Sequence, residues 1–374
     1  MIKLKKVLKL IFNFFIYIFR SRLSLDKLDL KERNLRNNNQ EIDTNDQEIL
    51  KRIAKSFKFA KKNPINNLNY IPLGAWKNHI EKFKKDYTKS LDEEDIVKID
   101  SLFKNFFRND GIRGIWIYKF FDDLKNSKKS EQVEFIINID RDYRKLRKLI
   151  KLENISKLNF PNIGNPWGYI IDDTTLLPTS CSHFYYSVKL KEFSKDIENP
   201  TFCEIGGGFG GTAYYLLKDR KDFTYLNLDI PEVLIFSKYL LMKSFKNRKV
   251  LLYNDKIDTI DDNTISNNDI ILMPNFMLPK ISNNTIDVTF NTRSLSEMNI
   301  DTVNEYIKQI NRITKRYFYH DNSDVSYAQR DGHTEIRSSE FNINKNSFEL
   351  VSANNNYLGG VNKRFVEYLY KKKK

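Results

Sequence analysis

The second half of the chain alternates short apolar runs with longer segments in which apolar residues recur every three or four positions. The runs are typical of buried strands, and the longer segments are typical of amphipathic helices. From Thr201 onward the runs predict five strands: TFCEIGG, TYLNLDI, KVLLYN, TIDVTFNT and RYFYHDN. Because helical segments follow several of these runs, we expect a parallel α/β sheet with helices on both faces.

Two more apolar runs near the end of the chain, SFELVSAN and RFVEYLYKK, are separated by a turn with Gly359-Gly360. A connection this short joins antiparallel neighbours, so this pair is predicted to close one edge of the sheet. The expected fold class is therefore α/β, with a doubly wound seven-stranded sheet in a domain spanning 183–374, introduced by a helix at about 183–196.

Residues 46–182 have a mainly helical pattern and form a predicted N-terminal region on the acceptor side of the sheet. Thr44 and Gln47 have the spacing of a capping box at the start of the first helix. Further helices are predicted at about 76–89, 92–107, 112–126 and 130–151. β-like runs on either side of Asp172-Asp173 predict a hairpin or an ordered loop.

Residues 1–23 predict a basic amphipathic helix. One polar stripe at helical spacing contains Lys6, Lys9, Asn13, Tyr17 and Arg20, while the other faces are apolar. The charge-free stretch 10–19 is too short to span a membrane, and no small-residue cleavage site marks a secretory signal. The helix is a candidate anchor for a membrane surface; alternatively, it docks on the protein itself or on a partner. The polar, Asn-rich residues 24–45 predict a linker that frees it.

The composition indicates the net charge of the protein and the compartment in which we expect it. The chain carries 63 basic and 48 acidic residues, a net charge of +15. This excess favours nucleic acid, acidic lipid or a phosphorylated substrate as a neighbour, although a lysine-rich background explains a dispersed charge equally well. Cys181 and Cys203 form no disulfide framework and no zinc motif, so we expect a cytoplasmic protein.

The glycine-rich segment CEIGGGFGG carries the main chemical signal, because here a strand passes through a glycine turn into a helix. Glycines at 206, 208 and 210 let the backbone approach a ligand closely. Glu204 lies just before the turn. Asp229 ends the second strand, where a carboxylate can accept the hydroxyls of a ribose.

Two cofactors compete for this turn, because Gly206, Gly208 and Gly211 also fit the dinucleotide pattern GxGxxG. An acid beside the turn would repel a pyrophosphate, whereas it suits the cationic S-adenosylmethionine (SAM). The seven predicted strands and their closing hairpin also favour SAM. The sequence therefore predicts SAM as the cofactor, with a nicotinamide or flavin dinucleotide as the alternative.

Three segments carry a family resemblance: CEIGGGFGGTAYYLL, YLNLDIPEVLIFSKYLL and TFNTRSLSEM. They resemble the class I SAM-dependent methyltransferases and, more narrowly, a bacterial family of sugar O-methyltransferases. FFRNDGIRGIW, GNPWGYII and HFYYS are similar to that family too. The resemblance spans about 100–370 and implies a Rossmann-like fold.

The resemblance also implies roles for residues. The methionine part of SAM would be held by Glu204, Gly206, Gly208 and Gly210, and Gly207 would also bind the cofactor. Asp229 would hold the ribose, and Asn254 or Asp255 would lie near the adenine. The fourth strand ends at Asn291, and the segment after it, Thr292 to Glu297, would line the junction of cofactor and acceptor.

Methyl transfer to a sugar hydroxyl requires removal of a proton, so a base is expected. The candidates are His183, His320 and Glu297. Trp167 and Tyr185 are candidates for stacking on a sugar, and Arg113 for holding an anionic group. For each of these residues a structural role is the alternative. No residues have the spacing of a dedicated metal site, so no metal is predicted.

These features predict a SAM-dependent O-methyltransferase that modifies a sugar, nucleotide-sugar or lipid-linked glycan, in surface polysaccharide or glycolipid synthesis. The alternatives are a NAD-dependent oxidoreductase or epimerase of nucleotide sugars, a nucleic-acid methyltransferase and a non-catalytic scaffold. A nucleic-acid substrate is disfavoured because the fourth strand ends in NTRS, without the Pro-Pro-aromatic sequence that holds a flipped base. The expected location is the cytoplasm, with 1–23 as a candidate contact to the inner face of the membrane. The oligomeric state stays open.

Overall fold

The computed structural model describes residues 2–20, 23–31, 42–63, 65, 67–115, 120–254, 256–326, 336–356, 358 and 365–373. Its α-helices are α1 (Ile2–Phe19), α2 (Thr44–Lys62), α3 (Gly74–Phe83), α4 (Lys85–Glu93), α5 (Ile96–Phe103), α6 (Phe121–Lys125), α7 (Lys129–Leu149), α8 (Ser180–Phe193), α9 (Gly211–Asp219), α10 (Pro231–Ser244), α11 (Asp262–Ser266) and α12 (Ile300–Ile313). Its strands are β1 (Tyr169–Ile171), β2 (Thr174–Leu176), β3 (Thr201–Ile205), β4 (Thr224–Asp229), β5 (Val250–Leu252), β6 (Ile270–Pro274), β7 (Ile286–Thr292), β8 (Thr314–Ser323), β9 (Phe348–Asn356) and β10 (Phe365–Lys372).

The main sheet has the strand order β5-β6-β4-β3-β7-β8-β10-β9. Its first six members are parallel, and β10 runs antiparallel to both β8 and β9. The doubly wound α/β class and the antiparallel edge are therefore confirmed. The Gly359-Gly360 turn lies outside the described residues.

The sheet has eight strands, one more than predicted, because β6 was missed. Pro274 ends β6 and Pro279 lies five residues further on, so loop signals interrupt this apolar stretch. In the structure β6 pairs with β4 and separates it from β5. The predicted third strand, β5, therefore lies at the edge of the sheet.

Alternating side chains of the parallel strands feed two apolar cores, one on each face of the sheet. On β4, Tyr225 belongs to the core that includes α8, α9 and α10, whereas Leu226 and Leu228 belong to the core that includes α12. This alternation follows from the two-residue period of a strand. Both faces are thus covered, as a parallel sheet requires.

The N-terminal region agrees with its predicted pattern in most places. The hairpin is present as β1 and β2, and its turn residues Asp172 and Asp173 have φ angles of 44° and 61°. Helix α2 is capped by the Asp43 side chain, not by Thr44. The predicted helix at 112–126 is wrong: within the described residues only α6 is helical there, after a 3-10 turn at Asp110–Ile112.

The predicted linker 24–45 is packed over its first part. Leu28 is buried and bridges to Tyr169 of the hairpin, and the buried Asp29 pairs with Arg108 at 3.1 Å. Residues 32–41 lie outside the described residues. The segment after α1 is therefore tied to the body of the protein, because the Leu28 bridge holds it on the hairpin and the Asp29 ion pair holds it on Arg108.

Trp167 provides a test of the N-terminal core. It is 1% exposed, stacks on Phe135 at a centroid distance of 5.7 Å and donates its Nε1–H to the carbonyl of Phe107. We expect Trp167→Ala to lower the free energy of unfolding by about 3–5 kcal/mol in urea titration, since it leaves a cavity and removes the indole hydrogen bond to the Phe107 carbonyl. Val97→Ala, at a residue 73% exposed, should change it by less than about 0.5 kcal/mol. Equal effects of both substitutions would contradict this packing.

Candidate active site

A cavity of about 320 Å³ opens at the carboxyl ends of β3, β4, β6 and β7. Ligands of open α/β sheets bind at this edge. The glycine turn after β3, the loop after β7, and residues of α8 and α12 form its floor and walls. Segments from the N-terminal region close the opposite side, with Ile71, Leu73, Trp76, Gly114 and Ile115 among the lining residues.

The glycine turn is shaped so that side chains cannot replace its hydrogens. Gly206, Gly208 and Gly210 have φ angles of 73°, 59° and 86°. A Cβ at Gly206 would lie 2.2 Å from the Oγ of Ser294, and one at Gly207 would lie 2.6 Å from the Oδ1 of Asn227. Glycine is therefore required here by both backbone conformation and close approach.

The amides of this turn are already used within the protein. Gly206 N donates to the carbonyl of Leu228, and Gly210 N donates to the carbonyl of Gly207. Gly207 N donates to the Oδ1 of Asn227 at 3.2 Å, and Gly208 N donates to the Oδ2 of Asp229 at 2.8 Å. These four amides are thus engaged by protein acceptors, whereas dinucleotide-binding turns present their amides to a pyrophosphate.

Two carboxyl groups lie beside the turn and line the cavity. Glu204 is buried and accepts a short hydrogen bond from the hydroxyl of Tyr225. Burial raises the pKa of Glu204 to about 8 and that of Asp229 to about 7. A cationic ligand would favour the ionised form of both groups.

The cavity is lined by a residue other than Asn254 and Asp255, the two that were predicted to lie near the adenine. Because β6 is the neighbour of β4, the cavity is lined by Asn275, which follows β6. Asn254, which follows β5, lies instead in a separate groove beside α2. Asp255 lies outside the described residues. The Oδ1 of Asn275 is buried without a hydrogen-bond partner among the described residues, although its Nδ2 donates to the Tyr70 carbonyl and the Tyr306 hydroxyl.

Asn291 is placed behind the cavity wall and does not line it. Its side chain is fully buried and donates to the carbonyl of Ile205, while its Oδ1 accepts from Asn322 at 2.8 Å. Asn291 therefore braces the loop after β7 against β3. The residues of that loop that line the cavity are Thr292, Arg293, Ser294 and Glu297.

The three predicted base candidates occupy different environments. His183 lines the cavity, and its ring contacts Phe209 of the turn at a centroid distance of 5.2 Å. Burial, with a smaller effect of the Arg293 charge, lowers the pKa of His183 to about 3, so the imidazole is neutral. Glu297 also lines the cavity and accepts from the Trp76 indole at 3.0 Å.

His320 does not lie at the cavity, and this correction follows from strand geometry. Its side chain points to the opposite sheet face from Asp321, stacks on Tyr368 at 4.9 Å and is fully buried. Neither ring nitrogen has a hydrogen-bond partner among the described residues. Burial lowers its pKa to about 3, so His320 is a neutral core ring.

The three predicted acceptor residues do not line the cavity. Trp167 is a core residue, as described above. Tyr185 is buried and donates its hydroxyl to Glu367 at 2.9 Å. Arg113 is paired with Asp110 and Asp123. Each side chain is occupied by contacts within the protein, so the structure assigns it a structural role.

Trp76 and Thr179, which the sequence did not single out, and Tyr186, for which the sequence favoured a packing role, line the cavity instead. The Oγ1 of Thr179 is buried without a partner among the described residues. Tyr186 donates its hydroxyl to Asp321, which also pairs with Arg293 at 3.4 Å. Tyr186 follows Tyr185 on α8, and consecutive side chains of a helix point in different directions. Tyr186 therefore lines the cavity, whereas Tyr185 does not. Burial raises the pKa of Asp321 despite the Arg293 charge.

Within the described part of the chain, no group of three or more His, Cys, Asp or Glu residues is arranged to hold a metal ion.

No protein-family model and no curated protein sequence matches the chain. Solved structures that it resembles include the mitomycin 7-O-methyltransferase (13% identity, TM-score 0.36), a small RNA methyltransferase (13%, 0.38) and the magnesium protoporphyrin IX methyltransferase from Synechocystis PCC 6803 with bound S-adenosylhomocysteine (8%, 0.38). Each likeness covers 52% of this chain and, respectively, 55%, 25% and 85% of the other. This chain thus spans about half the length of the mitomycin enzyme.

The raised pKa of Glu204 predicts a pH-dependent loss of stability. Between the ordinary value of 4.5 and about 8, the folded protein keeps a proton that the unfolded chain releases. The contribution of Glu204 is complete below pH 4.5 and is lost as the pH rises through 8. Glu204→Gln removes this dependence. As the pH rises from 5 to 8.5, the free energy of unfolding of the original protein should therefore fall by a few kcal/mol more than that of Glu204→Gln.

Urea titrations across that pH range measure the difference. Glu153→Gln, at an exposed residue, provides the control and should follow the original protein at each pH. A constant difference between Glu204→Gln and the original protein would contradict the raised pKa.

Proposed function

We propose that this protein is a SAM-dependent O-methyltransferase whose acceptor is a sugar hydroxyl. The observation that carries the cofactor assignment is the state of the glycine turn: its amides at Gly206, Gly207, Gly208 and Gly210 donate to protein acceptors. A pyrophosphate would have to displace these acceptors and approach two carboxyl groups. A cationic ligand needs neither change, so the turn favours SAM over a dinucleotide.

The residues around the cavity fit SAM in three respects. Gly206, Gly207 and Gly208 line the cavity without side chains, so a ligand can approach the backbone of the turn closely. Glu204 and Asp229 supply carboxylates for its ammonium group and ribose hydroxyls. The unpartnered Oδ1 of Asn275 is an acceptor for an amino group such as that of adenine. When bound, SAM supplies an electrophilic methyl group.

The chain itself must orient the acceptor and accept its proton. His183 is the proposed base, because its imidazole lines the cavity beside the glycine turn. Helix α9 begins at Gly211, whose added Cβ would lie 2.1 Å from the His183 Nδ1. Glycine at this position therefore allows the ring to pack close to the cofactor turn.

The acceptor assignment is supported by the mixed lining of the cavity. Trp76 presents an indole whose Nε1 is held by Glu297, and an aromatic face held in this way can stack on the apolar face of a sugar. Thr179, Ser182 and Tyr186 line the same cavity, and the Thr179 Oγ1 is a buried hydroxyl without a partner among the described residues. Sugars, nucleotide sugars and lipid-linked glycans all present hydroxyl groups and an apolar sugar face to such a lining. Surface polysaccharide or glycolipid synthesis would supply these acceptors.

Calorimetry with SAM tests the cofactor and the shifted adenine position together. We expect Asn275→Ala to weaken SAM binding by about tenfold or more, because the buried acceptor is lost. Asn254→Ala is the matched control and should bind SAM as the original protein does. Binding of NAD with no binding of SAM would overturn the cofactor assignment, and loss of SAM binding only in Asn254→Ala would overturn the adenine position.

The base is tested by steady-state kinetics. With a sugar acceptor, His183→Ala should reduce kcat by about 10²–10⁴-fold and SAM affinity by much less, since proton transfer is lost while the carboxyl groups proposed to hold the cofactor stay in place. His320→Phe is the matched control and should keep kcat, because its ring nitrogens have no partner in the described structure. The reverse pattern would return the base to His320.

The acceptor class is tested by mass spectrometry of surface glycans from cells with and without the protein. Loss of a methyl group from one sugar, restored by the original protein but not by His183→Ala, is the expected result. Unchanged glycans together with methylated RNA or DNA in the presence of purified protein would replace the sugar with nucleic acid.

A further inference from the structure

Helix α1 is attached to the protein through its polar stripe. It packs on α7, where Lys9 pairs with Glu134 and Arg20 pairs with the buried Asp140. The Tyr17 hydroxyl, from the same stripe, accepts the Leu25 amide at 3.0 Å. This orientation is the inverse of a surface helix in a globular protein, in which the polar stripe faces water.

The apolar side of α1 faces outward as a result. Its exposed apolar residues have relative exposures of 44% to 80%, and the set comprises Val7, Leu8, Leu10, Ile11, Phe12, Phe14, Phe15, Ile18 and Phe19. They cover consecutive turns of one helix and so form a continuous surface. Continuous apolar patches of this kind mark a contact with a membrane or a partner.

The helix cannot simply turn this surface into the protein. Rotation would break the pair between Arg20 and the fully buried Asp140, leaving Asp140 with one fewer cationic partner beside Arg144. The chain after the helix is held as well, because Leu23 and Leu28 are buried. The outward face is therefore a fixed feature of the folded protein.

The charge around this surface identifies its partner. Residues 1–31 contain six lysines and two arginines but only two aspartates; Lys9 and Arg20 are paired within the protein, so the attraction to a bilayer rests on the other six basic residues. A second copy of the chain would bring two such basic segments together, which costs energy, whereas an anionic bilayer attracts them. No helix among the described residues is long and apolar enough to cross a bilayer.

We propose that the outward apolar face of α1 binds the surface of an anionic lipid bilayer. Apolar insertion and attraction between basic residues and lipid headgroups together provide the two signals that stable peripheral binding needs. The proposal goes beyond methyl transfer and does not depend on it, because α1 contributes no residue to the lining of the cavity.

Vesicle co-sedimentation of the full chain tests this surface. The original protein should bind vesicles of phosphatidylcholine with phosphatidylglycerol about tenfold more strongly than phosphatidylcholine alone, and less at high salt. The double variant Phe12→Gln/Phe19→Gln changes residues that are 64% and 80% exposed, so it should fold normally yet bind about tenfold more weakly or worse.

The matched control is Val97→Gln on α5, which is 73% exposed and should bind vesicles as the original protein does. The affinity for SAM and the unfolding temperature should be the same in the original protein, the double variant and the control. This result would show that the substitutions altered only the surface. An original protein that stays in the supernatant, or a double variant that sediments equally well, would overturn the proposal. So would a dimer, seen by light scattering, that ignores vesicles and dissociates in the double variant.

Discussion

The chemistry of the cavity depends on how the glycine turn after β3 meets its own hydrogen-bonding needs. The Leu228 carbonyl and the Asn227 and Asp229 side chains of β4 accept the amides of Gly206, Gly207 and Gly208, so these three amides are engaged within the protein. A turn of this kind offers space and neighbouring carboxyl groups rather than free donors. The same backbone shape that binds a dinucleotide elsewhere here favours a cation.

Burial then determines the protonation of the groups around this turn. Desolvation raises the pKa of Glu204 and Asp229 and lowers that of His183. All three groups are thereby driven towards neutrality in the free protein. A ligand with a positive charge would ionise the acids, so its binding would be coupled to proton release.

Helix α1 has the reverse of the usual orientation, because its polar residues face the protein and its apolar residues face outward. Asp140, fully buried on α7, receives Arg20 and Arg144. The proposed membrane contact and the proposed methyl transfer thus reside on separate parts of one molecule. Their coexistence would place the enzyme where lipid-linked or membrane-proximal acceptors are found.

Much of this protein could be predicted from local patterns. Strand and helix periodicities identified the doubly wound sheet, and the spacing of Glu204, Gly206, Gly208 and Asp229 identified residues that the structure brings to one cavity. These features are local, since a period or a glycine turn is encoded within a few residues. Strand order and side-chain direction were decided only by tertiary packing. Because β6 lies beside β4, Asn275 rather than Asn254 lies at the cavity. Tyr186 rather than Tyr185, and Asp321 rather than His320, point towards the site. Neighbours distant in sequence decide this, since they determine which face of a helix or strand is buried.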